Sequence, residues 1–583
     1  MLKNISILVL AALVIALPFL FRSPTTRADW RPGDPVVVII TPMNEAIRYE
    51  FGRAFSAWHQ QKYGRPALVD WRAIGGSTEI SRYLTSEMVN AVRAWWTGQG
   101  KSWPRGTGEA ILDAKFEANA PAPEARAAWD QQHAAWLAYR ATDDPAAFTC
   151  RIDLLFGAGE YDHTDAQRKG LTVPAWPPGG APTGLFARED GAMLIPERLS
   201  GETWRTPNMF GTVLSTFGIC YNTDRLADLG ITHPPLQWDD LADPAYFRQV
   251  GVADPTKSGS IAKAFEMIIQ QKCRQAVGAA GFDETAIDRF EALFKKAGLP
   301  PGEVPEGVPA IYQAAVERGW EDGLHLVQLI GANARYFTDS ASRVPIDVGA
   351  GDAAAGLVID FYGRYQAQCS RPADGRDRMF YVTPIGGSSV SADPLGLIRG
   401  AQHRETALRF IEFTLSEEGQ RLWTYAPGTP GGPEKYALRR LPIRRDFYPS
   451  DDPAMNAAAV ANMKYATDDL ADPDINPYTL ATNFTYRSRW TGSHFGVQRD
   501  LIRAMCLDSA DELRAAWEAI LRHGGPAAQP EAMELLGRLP DAPEQLSWHN
   551  ATAIAKKYDA MERMRTWTAF YRGNYRKVKE LLE

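Results

Sequence analysis

The apolar positions of this chain fall into short unbroken runs, separated by longer stretches with helical spacing. Val36–Ile40 is five β-branched residues in a row. Such a run, with no polar alternation, predicts a strand buried on both faces, as in a parallel sheet. Thr41-Pro42 breaks it and Asn44 offers a helix cap. Ile47, Phe51, Ala54, Phe55 and Trp58 then share one helical face, which Gly64 can end. A second strand is predicted over Ala67–Trp71. It is followed by Gly75-Gly76-Ser77-Thr78 and a helix from Glu79. Strand, helix, strand, loop, helix is the start of an α/β lobe with a parallel sheet.

The same reading continues down the chain. Residues from about 90 to 147 are rich in Trp, Ala and Gln and read as a helical insertion. Strands are predicted over Arg151–Phe156, Leu214–Tyr221, Val250–Ala253, Ala355–Asp360 and Met379–Thr383, with a helix over Arg404–Trp423. Pro and Gly crowd 174–184 and mark a surface loop. Beyond Phe447 the chain reads as helical and ends in a basic helix bearing Arg563, Arg565, Arg572, Arg576, Lys577 and Lys579. That helix reads first as a solvated face, and otherwise fits an acidic protein surface or anionic lipid.

Composition narrows the classes. The 583 residues exceed one typical domain, and 45% hydrophobic with 23% charged residues is ordinary for a folded chain. A net charge of −7 with no segregated basic stretch argues against a nucleic-acid partner. Lys3, the apolar run Ile5–Phe21 and Arg22 read as an export signal or an N-terminal membrane anchor over residues 1–28. The five cysteines contain no CxxC pair. They leave open whether some are bridged or all are small buried side chains.

Two loops share a design that carries chemistry. Gly75-Gly76-Ser77-Thr78 and Thr256-Lys257-Ser258-Gly259-Ser260 each follow a strand and open a helix. A helix start presents unpaired N–H groups and the positive end of the macrodipole, and Ser or Thr hydroxyls add donors. Such a site suits phosphate, phosphonate or carboxylate, although the same hydroxyls also serve as plain helix caps. Gly157 and Gly159 after the third strand, Asp360 and Tyr362 after Ala355–Ile359, and Ser389 in Gly386–Ser389 are placed by the rule that ligands lie beyond the carboxyl ends of strands. No P-loop or GxSxG elbow is present, and no cofactor is called for. Tyr161-Asp162-His163-Thr164-Asp165 is the one dense cluster of potential metal ligands or hydrolytic groups, although it reads more readily as a polar surface turn after a strand.

Three further stretches carry a resemblance. Phe217-Gly-Ile-Cys-Tyr-Asn-Thr-Asp-Arg-Leu226, Trp238-Asp-Asp-Leu241 and Ala253-Asp-Pro-Thr-Lys-Ser-Gly-Ser260 come in that order. With Ala407–Phe413 and Leu415–Gln420, they resemble the family 1 extracellular solute-binding proteins of ABC importers, close to the ferric-iron, phosphonate and sugar-phosphate binders. The resemblance runs from about Val36 to Phe447. It implies a type II periplasmic binding fold of two α/β lobes about a cleft, and a carrier rather than an enzyme. It also implies a periplasmic monomer that delivers its solute to an ABC permease in the inner membrane. The implied division is lobe 1 over 36–217, lobe 2 over 218–378, a lobe 1 return over 379–447 and a helical extension over 448–583. The expected cleft residues are Ser77, Thr78, Gly157, Gly159, Thr256, Ser258, Ser260, Asp360, Tyr362 and Ser389. Where the iron-binding branch carries two adjacent tyrosines, this chain has Phe361-Tyr362. That shifts the expectation from ferric iron, the alternative ligand, towards a sugar phosphate or phosphonate. An exported hydrolase and a membrane-anchored ligand sensor are the remaining alternatives.

Overall fold

Two mixed sheets organise the chain. The computed structural model describes residues 30–122 and 126–583, so the leader predicted over residues 1–28 lies outside the described residues. The first sheet contains β1 (Val36–Ile40), β2 (Leu68–Arg72), β3 (Leu154–Phe156), β4 (Thr172–Val173), β7 (Arg205–Thr206) and β8 (Met209–Ser215). It also takes the returning strands β14 (Ser391–Ile398) and β15 (Leu441–Pro442). A small hairpin, β5 (Arg198–Leu199) with β6 (Glu202–Thr203), stands beside it. β1 pairs in parallel with β2 and β3, while β14 returns antiparallel to β3 and β8. The second sheet has the order β11 (Ala334–Thr338), β10 (Val250–Ala253), β12 (Ala355–Ile359), β9 (Phe217–Asn222), β13 (Met379–Val382).

The chain passes between the sheets at a single residue. Leu214–Tyr221 reads as one strand in the sequence, but Thr216 divides it. Ser215 pairs with Ser391 in the first sheet and Phe217 pairs with Ile359 in the second. The alternation of apolar residues runs straight through, so only the pairing partners reveal the break. The return crossing is residues 383–390, between β13 and β14. The Thr216 hydroxyl lies 3.1 Å from both the Tyr381 and the Thr383 hydroxyl oxygens, so the two crossings are bonded side by side.

Each lobe has its own core. Phe51, Phe55, Phe156, Phe410 and Trp423 cover one face of the first sheet, and Ile80, Leu84, Met88 and Tyr139 cover the other. Burying each such side chain is worth roughly 1.5–3 kcal/mol. Tyr139 lies in the helical insertion, so that insertion closes the sheet's second face. In lobe 2 the helices Gly259–Ala279 and Ala310–Ala332 cross closely. A methyl group on Gly319 would meet Cys273 Cα at 2.3 Å.

Other expectations are adjusted. The helix predicted over Arg404–Trp423 breaks at Ser416, whose Oγ accepts from Gly419 N to cap a second helix. The sequence reading missed β14, because it contains Asp393-Pro394. The ladder register shifts at that dipeptide, which is how a proline is accommodated there. The five cysteines are all free thiols, four of them buried. Residues 453–481 of the extension pack on lobe 1, and from Phe484 onward the chain joins the core of lobe 2. The basic final helix turns inward: Arg563 pairs with Asp500, and Arg572 and Arg576 pair with Glu512. Among the described residues no helix is long and apolar enough to cross a membrane.

Candidate ligand-binding cleft

A cavity of about 710 Å³ lies between the two sheets, at the carboxyl ends of their strands. The residues that follow β1, β2, β3, β10, β11 and β12 all reach it. This is where open α/β sheets leave a crevice, because the strand-to-helix loops of both sheets open towards each other.

Three helices point their N-termini at this space: Ser77–Gly98, Glu160–Arg168 and Gly259–Ala279. The first and third come from different lobes and touch. A methyl group on Gly76 would lie 3.3 Å from Lys257 O, and one on Gly259 would lie 3.7 Å from Ser77 Oγ. The Thr78 hydroxyl sits 3.5 Å from Thr256 O. The two Gly/Ser/Thr loops thus form one seam. The helix at Ser77 opens on Gly76 with no side-chain cap, so its first N–H groups keep their donors free. At the other helix Ser258 Oγ accepts from Ile261 N and lies 3.2 Å from Ser260 Oγ.

Ser77, Gly159, Ser258, Ser260 and Tyr362 line the cavity; the other five expected residues do not. Thr78 and Thr256 stand just behind the seam, where the Thr256 hydroxyl donates to Asp254 Oδ1 at 2.6 Å. Gly157 turns its carbonyl away to accept from His163 Nε2 at 2.9 Å. Asp360 is buried under the cavity wall, facing Arg364 at 3.3 Å. Burial raises its pKa, with Arg364 and Arg440 opposing that rise. Ser389 is buried in the return crossing and donates to Glu202. In each case a polar group just beyond a strand end is consumed by an internal partner, a distinction that spacing does not carry.

The Tyr161–Asp165 cluster is the first turn of the helix Glu160–Arg168, so its side chains diverge around the helix. His163 points inward, and burial pushes its pKa down to about 4. Burial also raises the pKa values of Glu160 and Asp162. Among the described residues no group of three or more His, Cys, Asp or Glu is placed to hold a metal ion.

The cavity is acidic in balance, with eight carboxylates on its lining against five cations. Four of the cations are already paired. Lys263 lies 3.1 Å from Glu202 and 3.0 Å from Glu266, and over the Tyr486 ring. Burial alone would lower the Lys263 pKa, but the two carboxylates win and hold it well above the ordinary lysine value. Arg440 is locked to Asp393 at 2.5 Å and lies over Phe361, Lys257 pairs with Asp339, and Arg168 pairs with Asp165. Arg499 is the one lining cation with no carboxylate within ion-pair distance among the described residues. It and Tyr486, Ser488, Gly492 and Phe495 come from the extension, which sequence reasoning had set apart from the cleft. No local motif distinguishes these residues from packing in a helical tail.

Residues 182–452 match the family model for bacterial extracellular solute-binding proteins. Among solved structures, the chain is similar to the periplasmic binding protein AfuA from Actinobacillus pleuropneumoniae with fructose-6-phosphate bound. Identity is 15% over 74% of this chain and 95% of that one, with a TM-score of 0.39. For a ferric binding protein from Campylobacter jejuni the values are 12% identity, 77% and 95% coverage, and a TM-score of 0.39. An uncharacterised protein of Haemophilus influenzae is 22% identical over 36% of this chain, and the aligned stretch spans 45% of that relative's length. Over residues 182–452, just under half of its length, this chain is thus similar to the bacterial extracellular solute-binding proteins.

Proposed function

We propose that this chain is a periplasmic carrier that captures a small anionic solute, a sugar phosphate or phosphonate, and delivers it to an ABC-type permease. The observation that carries the reading is the seam at which Ser77 and the Ser258–Ser260 loop meet from opposite lobes. Two helix N-termini there supply oriented N–H groups and positive dipole ends to one small volume, an arrangement suited to an anionic head group. The surplus carboxylates, Glu160 and Asp162 among them, suit the hydroxyls of a sugar, since a carboxylate accepts hydrogen bonds from several donors. With Phe361 packed beneath Arg440, a pair of adjacent phenolates for ferric iron is not available.

The test is calorimetric titration with glucose 6-phosphate and inorganic phosphate. The expected result is binding of the sugar phosphate by the native protein, weakened at least about tenfold in the Ser77→Ala/Ser258→Ala double variant, or about 1.4 kcal/mol. An unchanged dissociation constant in the double variant removes the seam from the binding site.

A further inference from the structure

The extension does more than thicken lobe 2. It crosses from lobe 1 to lobe 2 between Ala481 and Phe484, making a third passage between the lobes. The passage is bonded on both sides. Ser200 Oγ donates to Ala481 O at 2.6 Å, and Tyr486 N donates to Ser200 O at 2.8 Å. On lobe 2, Gln270 Nε2 donates to Arg487 O at 2.8 Å. The approach is so close that a methyl group on Gly201 would meet Tyr486 O at 1.9 Å. From there the chain runs along the cavity, and the helix Phe495–Ile502 is seated in lobe 2 by Val497, Leu501 and Ile502.

That helix carries Arg499. Its Nε donates to Pro255 O at 2.8 Å and its Nη2 to Thr256 O at 2.8 Å, which fixes the guanidinium on the lobe 2 loop. The same Nη2 reaches across the seam to Thr78 Oγ1 of lobe 1 at 3.2 Å. Nη1 makes no hydrogen bond among the described residues, on a side chain that lines the cavity and lacks a carboxylate partner. A planar fork with fixed donors serves two acceptors at once in a way a lysine ammonium does not.

We propose that Arg499 is the latch of this carrier: held by lobe 2, it bonds Thr78 only when the lobes meet, and turns its remaining donors to the anionic group of the solute. The ligand half of this inference rests on the anionic-solute reading above; the latch half does not. The extension is thereby a working wall of the site, contributed from beyond the segment that matches the family model.

The experiment uses the full chain with spin labels placed on exposed positions of the two lobes. Interlobe distances are measured in native protein, Arg499→Met, Arg499→Lys and Thr78→Val, with glucose 6-phosphate as probe. Arg499→Met and Thr78→Val are expected to shift the distance distribution towards longer separations while thermal unfolding stays native-like. Arg499→Met is also expected to weaken probe binding about tenfold and to speed release, with Arg499→Lys in between. Native-like distances in both Arg499→Met and Thr78→Val overturn the latch. If the native protein ignores the probe but the distances still lengthen, the latch stands and the anionic-solute reading falls. If Arg499→Met opens the lobes yet binds the probe with native affinity, the contact of Arg499 with the anion is overturned.

Discussion

The two loops that meet at the seam look alike in sequence and are built differently. The lobe 2 loop is finished by its own chain. Asp254 Oδ1 accepts from both the amide and the hydroxyl of Thr256, its other oxygen faces Arg503 at 3.1 Å, and Ser258 caps the helix behind it. The Gly157–Gly159 loop of lobe 1 is finished in the same manner, by His163 on Gly157 O and Asp162 on Gly159 N. The loop Gly75–Ser77 has no such device: its helix starts on a glycine without a side-chain cap. A helix end with its donors unspent is costly when enclosed. The comparison therefore separates a loop whose polar groups hold the fold from one whose polar groups remain for something else.

The largest effect should come from the finished loop. Asp254→Ala removes the buried carboxylate that accepts from the Thr256 amide and hydroxyl and from Arg503, leaving Arg503 to Asp508, and is expected to lower unfolding free energy by about 3 kcal/mol in denaturant titrations. Glu79→Ala, beside the unfinished loop, should cost under about 0.5 kcal/mol by the same measurement. A loss of under about 1 kcal/mol for Asp254→Ala would erase the distinction.

The next effect follows from His163. Its folded pKa of about 4 lies below the unfolded value near 6.5, so the unfolded chain takes up the proton first as pH falls. Stability should be level above pH 6.5, fall through the window from 6.5 to 4, and level off below it. The total loss is roughly 3 kcal/mol from this residue. His494, also pushed down to about 4 by burial, adds a parallel loss. Unfolding midpoints measured across that range should show a shallower slope in His163→Gln. An unchanged slope would mean that the Gly157 turn does not depend on a neutral imidazole.

The smallest effect sharpens the comparison most. Ser258→Ala removes a cap and should cost about 1 kcal/mol of stability. Ser77→Ala removes none and should cost under about 0.5 kcal/mol. Equal losses would show that both serines are structural.

The fold was legible wherever local chemistry and tertiary pairing agree. Val36–Ile40 and Val250–Ala253 could be read as written because an unbroken apolar run has few other uses. The break at Thr216 was not, since the partner strands on either side of it lie more than a hundred residues away in sequence. In the cleft, strand-end glycines and serines gave the neighbourhood. They did not tell Ser77, which faces the cavity, from Thr78, which sits one position on and faces Arg499. Glu202, Lys263, Glu266 and Arg499 meet across long sequence separations, and nothing local marks any of them.

The bonded pair of crossings at Thr216 and Thr383 makes one last point. A rotation of one lobe against the other has to turn about this pair together with the third passage at Ala481–Phe484, and Phe217, which lines the cavity, adjoins Thr216. Gly76 and Lys257 sit at the long end of the lever. A solute resting on the floor would travel little while the rim above it swings wide. The protein can thus be tight in its grip and generous at its mouth, with the three passages between the lobes setting both.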